Sequence, residues 1–243
     1  YRTLAADRPD VFSPNLAMAL NDLAKRLAAF GRREAALAAA EEAVGLYRTL
    51  AADRPDDFNP DIASALSSLS NCLATLGRPE PALAATEEAV ALYRTLAADR
   101  PDDFSPDLAG TLSNLFNCLA ALDRREAALA ATEEAVALYR ALAADRPDVF
   151  NPDLARACGS RGVIFRSLGQ DAQAVQSFAD GLSAITHMLQ AHPVAVANLT
   201  LALLRGYLVA TQATEADADP TLLEPILAKL TEIGTFGEPG GTS

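Results

Sequence analysis

From Leu16 onward the apolar residues Leu16, Leu20, Leu23, Leu27 and Phe30 recur every three or four positions. That spacing lines one face of an α-helix. A second stripe follows in Ala36, Leu37, Ala40, Ala43, Val44, Tyr47 and Leu50, with Glu41 and Glu42 on the opposite face. The pattern predicts one helix from about Pro14 to Phe30 and a longer one from about Arg33 to Asp53, turned by GRRE at 31–34. Neither helix covers its apolar face alone, so the predicted unit is a helix pair that leans on its neighbour.

The pair recurs. YRTLAADRPD stands at Tyr1, Tyr47 and Tyr93 and returns at Tyr139 as YRALAADRPD, a period of 46 residues. Repetition at a fixed period of this size points to a stacked-repeat architecture, here all-α. Pro9, Pro55, Pro101 and Pro147 are expected to break the preceding helix. Ser13, Asn59, Ser105 and Asn151, each followed by Pro, are expected as N-caps of the next one. Asp61, Asp107 and Asp153 would then lie near the positive end of the helix dipole. The predicted organisation is the tail of a truncated repeat over 1–13, helix pairs over 14–59, 60–105, 106–151 and 152–191, a degenerate capping pair over 192–234, and a disordered tail over 235–243. The chain opens without Met in mid-repeat, so an upstream portion is expected.

Composition narrows the classes. Half the residues are hydrophobic, yet only 6% are aromatic and Trp is absent. The apolar content is mostly Ala and Leu, the strongest helix formers. A net charge of −12 argues against nucleic acid and anionic membrane surfaces as partners. No apolar run approaches the roughly 18–20 residues that span a bilayer, and no signal peptide is visible. Cys72, Cys118 and Cys158 are odd in number and far apart. They read as buried, reduced thiols, and a cytoplasmic location is expected. His187 and His192 are five apart with no third ligand, so no metal site is expected. No nucleophile elbow, phosphate-cradling loop or buried acid pair appears, and neither an enzyme nor a cofactor is expected.

Aligned on its turn, the first repeat reads ALNDLAKRLAAFGRREAALAAAEEAV. It resembles the tetratricopeptide repeat, a helix-turn-helix family with a turn Gly and three small residues in the second helix. Those places fall on Ala36, Ala40 and Ala43, then Ala82, Thr86 and Ala89, then Ala128, Thr132 and Ala135. In the fourth repeat they fall on Ala174, Phe178 and Gly181; the turn Gly matches at Gly31, Gly77 and Gly169 and is Asp123 in the third repeat. The period exceeds the family's usual 34 residues. The extra length resembles the long-helix subclass of kinesin light chains and of bacterial sensors that join such repeats to a nucleotide-switching module. The resemblance implies a right-handed superhelix whose concave wall is built from the first helices, and a protein or peptide as partner.

On that alignment the groove-facing residues are Asn21 and Lys25, then Ser67 and Asn71, then Ser113 and Asn117, then Arg156 and Ser160. Side-chain amides suit an extended peptide because each both donates and accepts. A carboxylate clamp known in the family is matched at Asn71, Asn114 and Arg156, but Ser67 and Ser160 stand where cations belong. The acids Asp53, Asp56, Asp57 and Asp61 recur as Asp99, Asp102, Asp103 and Asp107 and read as a solvated edge. Tyr47, Tyr93 and Tyr139 read as packing residues with hydroxyls reaching water. The reading is a protein-interaction module working through its groove. Its alternatives are a regulatory region of a bacterial NTPase-type signalling protein, or a scaffold that self-associates through exposed repeat ends.

Overall fold

A single residue joins each second helix to the first helix of the next pair. Arg8, Arg54, Arg100 and Arg146 take φ between −142 and −133° with ψ of 70 to 74°. The following helix starts at once on proline. The ring of Pro55, for example, drives the residue before it out of the helical region, and its missing N–H is no loss at the first helical position. One proline thus stops a helix and starts the next. His192 does the same before Pro193.

The structure is a computed structural model that describes residues 1–234, without the side chains of residues 6, 9, 10, 53 and 56; the tail expected over 235–243 lies outside the described residues. It divides into two compact units, residues 1–124 and 125–243. The first holds α1 (Arg2–Asp7), α2 (Pro9–Ala29), α3 (Arg33–Asp53), α4 (Pro55–Thr75), α5 (Pro79–Asp99) and α6 (Pro101–Ala121). The second holds α7 (Arg125–Asp145), α8 (Pro147–Ser167), α9 (Asp171–Ala191), α10 (Pro193–Ala213) and α11 (Pro220–Glu232). Every described residue in regular structure is helical, and consecutive helices within each unit pack as antiparallel neighbours.

The expected N-caps are corrected. Ser13, Asn59, Ser105 and Asn151 lie inside their helices, five residues after the Arg that serves as N-cap. The earlier proline wins because it sets the helical φ at the first position, whereas Pro106 at the sixth forfeits one bond to the carbonyl of Asp102. None of these helices has a side-chain cap. Instead the Arg guanidinium lies over the Phe four residues on, at 5.0 Å for Arg54 and Phe58, 4.6 Å for Arg100 and Phe104, and 4.8 Å for Arg146 and Phe150. Each such contact contributes about 0.5–1 kcal/mol.

The tight turns follow the sequence. Gly31, Gly77 and Gly169 take φ near +70°, and Asp123 takes 55° in their place. Short acidic and amide side chains tolerate this left-handed conformation better than other non-Gly residues. The turns close with Arg32 N–H on the Leu27 carbonyl and Arg124 N–H on the Leu119 carbonyl, both at 2.9 Å.

Small residues let the helices of the first unit approach: Leu16, Leu20 and Ala24 pack on Ala36, Ala40 and Ala43, and Tyr47 packs on Phe58 and Ile62. In the second unit Phe178 stands where the other repeats have Ala40, Thr86 and Thr132. The ring fits because α8 and α10 present glycines to it. A Cβ on Gly162 would meet it at 2.8 Å, and one on Gly206 at 2.4 Å.

α10 modifies the reading of the apolar runs. By length and composition it is long and apolar enough to cross a bilayer, although Asn198 and Arg205 interrupt its apolar run. In the fold Leu203, Leu204 and Tyr207 of this helix belong to the core of the second unit.

Candidate functional site

Within the first unit α4 packs beside both α2 and α6, and the three helices bound a cleft of about 480 Å³. Helical spacing makes its walls. Ser64, Ser67 and Asn71 recur on one face of α4, and Asp107, Thr111 and Asn114 on the facing side of α6. Lys25 enters from α2, and Tyr93 of α5 reaches the cleft from behind.

Ser64 is the polar centre. Its Oγ accepts from Asn21 Nδ2 at 3.3 Å and from Lys25 Nζ at 3.4 Å, and it hydrogen-bonds the Tyr93 side chain. Ser67 and Thr111 bridge α4 and α6 hydroxyl to hydroxyl at 3.3 Å. Asn21 is only 7% exposed, and its Oδ1 finds no partner among the described residues.

The charges sit close together. Burial pushes the Tyr93 hydroxyl well above the usual tyrosine range, and the carboxylates of Asp107 and Asp61 add to the shift. Tyr47 is raised in the same way by burial, then by Asp61 and Asp22. Partial burial raises the Asp107 carboxyl too, while Lys25 pulls it down. These tyrosines are therefore not the water-reaching side chains expected, being 3% and 4% exposed. Nor is the acidic edge uniform: Asp57 and Asp103 pair outward with Arg54 and Arg100, whereas Asp107 turns into the cleft wall.

A smaller hollow of about 250 Å³ opens next to the cleft between α4 and α6, reaching Ala74, Thr75 and Cys118. Asn71 and Asn114 border both spaces, and Asn117 borders the smaller one. The amides of these three residues make no hydrogen bond to other described residues.

A tetratricopeptide repeat family model matches residues 16–56. The copies at 62–102 and 108–148 repeat that segment closely. No curated protein matches the chain. Among solved structures, the nearly identical TPR-like repeats of a Podosopora anserina kinesin light chain are 17% identical, with a TM-score of 0.64 over 91% of this chain and 96% of that one. BtubC (BKLC) from P. vanneervenii is 18% identical, with a TM-score of 0.67 over 100% of this chain and 90% of that one. At these identities the likeness is one of fold. The chain carries a tetratricopeptide repeat and has the fold of stacked TPR-like repeats. Repeats of this family are generally protein-interaction modules and typically non-catalytic, and no enzyme family is evident.

In this repeat protein the sequence-derived site residues divide. Lys25, Ser67, Asn71 and Asn114 share the cleft, with Asn21 buried just behind them. Asn117 lies at the smaller hollow. Ser113 is not among the cleft's lining residues and donates back to the Ala109 carbonyl. Arg156 and Ser160 are on α8 in the second unit, where Arg156 pairs with Asp153. The sequence reading missed Ser64, Thr111, Asp107 and Tyr93. Ser64 was within reach, since it stands three residues before Ser67 and seven before Asn71 on one helix face. Tyr93 was not, because it arrives from the second helix.

Proposed function

We propose that this protein binds an extended peptide segment of a partner protein in the cleft between α2, α4 and α6. The observation that supports this most directly is the pair of free amides, Asn71 and Asn114, facing one concavity from adjacent helices. An exposed peptide strand carries alternating N–H and C=O groups, and an amide side chain can pair with both. The cleft lies in the size range of ligand sites, about 300–1,000 Å³. Among the described residues lining it Lys25 is the one cation and Asp107 the one anion, so recognition rests on neutral hydrogen bonds more than on net charge. Binding of a peptide selected on the intact protein, followed by titration against Asn71→Ala/Asn114→Ala, tests the reading. Undiminished affinity in the double variant would refute it.

A second reading, association of copies through α2, has its own observation. Leu23 is 46% exposed where its counterpart two periods on, Leu115, is 9% exposed, and Met18 and Phe30 lie open on the same helix and its C-terminal end. Light scattering across concentration tests it: Leu23→Glu should abolish any concentration-dependent mass, and a strictly monomeric protein contradicts it.

A further inference from the structure

The two concavities that share Asn71 and Asn114 differ in chemistry, and the difference lies in the charged groups, which line the larger and not the smaller. In the smaller one Ser70 is hydrogen-bonded to Thr86, and Thr75 donates to the Cys72 carbonyl at 2.8 Å. Cys118 Sγ stands 3.9 Å from Ser70 Oγ and 3.7 Å from Thr86 Oγ1. What remains for a ligand is the Ala74 methyl, the Thr75 methyl and a sulfur, below a rim of amides. Below that rim a polar side chain would lose water without gaining partners, a cost of about 1–3 kcal/mol.

In the larger cleft the hydroxyls are engaged as well, Ser64 with Asn21 and Lys25 and Thr111 with Ser67, but the Lys25 ammonium and the Asp107 carboxylate also line it. A cationic or an anionic side chain there meets one attractive and one repulsive charge. A neutral group that both donates and accepts meets neither penalty. Along α4 the residues lining the cleft centre near Ser68 and those lining the hollow near Cys72, and along α6 near Gly110 and Phe116, offsets of about 6 and about 10 Å at 1.5 Å per residue. Extended chain covers about 7 Å in two residues and about 10 Å in three.

Building on the peptide reading above, we infer that the two spaces form a paired specificity site. It takes a neutral amide side chain, Asn or Gln, in the larger cleft and a small apolar side chain, Ala or Val, in the smaller hollow. The two ligand positions are two or three residues apart, and Asn71 and Asn114 hold the peptide bonds between them.

The test is selection of a randomised twelve-residue displayed peptide library on the whole protein and on two variants. Ala74→Phe fills the hollow from an exposed position, and Gly110→Leu fills the cleft from a half-buried one. Circular dichroism confirms that each variant keeps its helix content, and Ser67→Phe replaces Gly110→Leu should that variant lose it. On the native chain the enriched peptides should pair Asn or Gln with Ala or Val at that spacing. Ala74→Phe should erase the small-residue preference and weaken native-selected peptides about tenfold or more, while the amide preference survives. Gly110→Leu should do the opposite. Enriched peptides that compete for the cleft but share no such pair, or whose preferences ignore both substitutions, overturn this inference and leave the groove reading intact. No enrichment on the native chain overturns both.

Discussion

Gly206→Ala is expected to destabilise the second unit, against the helix-propensity ranking. In mid-helix this change alone gains about 1 kcal/mol. Here the new methyl would fall 2.4 Å from Phe178 Cε1 and 2.5 Å from Cζ, far inside contact distance. The ring has nowhere to retreat, because it is 3% exposed and the space on its other flank exists only because residue 162 is also glycine. Overpacking of this kind costs about 1–3 kcal/mol and at times more, so after the propensity gain the net loss should reach about 2 kcal/mol. Gly45→Ala is the control: it is exposed in α3 and its Cβ would meet nothing within 4 Å. That variant should gain about 0.5–1 kcal/mol. Native-state hydrogen exchange resolves the two units separately, and the loss should appear in α8, α9 and α10. Combining Gly206→Ala with Phe178→Thr, the residue at this place in the second and third repeats, should show a coupling of at least about 1 kcal/mol. A stabilising Gly206→Ala, or strict additivity, would refute the packing argument.

Three further outcomes follow from the same structure. Pro101→Ala should cost roughly 0.4–1 kcal/mol by loosening the unfolded chain, whereas Pro106→Ala should gain about 1 kcal/mol or more by restoring the bond to Asp102; equal signs in urea denaturation contradict the assigned helix starts. Tyr47 and Tyr93 titrate above the usual range when folded, so the unfolded chain releases their protons first as pH rises past about 10. Stability should then fall by up to about 1.4 kcal/mol per pH unit for each tyrosine, and Tyr47→Phe/Tyr93→Phe should flatten that limb. Partial burial raises Asp107 and Asp61, so acidification from above the ordinary carboxylate range down into it should relieve their desolvation, and Asp107→Asn should lower stability less at neutral pH than in acid.

The architecture was legible because the period and the apolar stripes carry it: Leu20, Ala40 and Tyr47 announce a buried face in every copy. The helix starts were misjudged because two prolines five residues apart both qualify, and the backbone cost of each depends on its position in a helix not yet placed. The cleft was half legible. Asn71 and Asn114 stand on the expected face, but Tyr93 enters from the partner helix and Asp107 looks in sequence like any member of an acidic run. In sequence Phe178 is only a departure from the small-residue pattern. Gly162 and Gly206 make it fit, and no local motif links those three positions.

The most direct measurement of the central claim is the side-chain amide NMR of Asn71 and Asn114 during titration with a peptide selected on the intact protein. Both NH₂ pairs should shift and saturate together with the backbone amides of Ser64 and Thr111. Saturable binding that leaves those resonances still, and moves only residues on α3, α5 or the second unit, would contradict it.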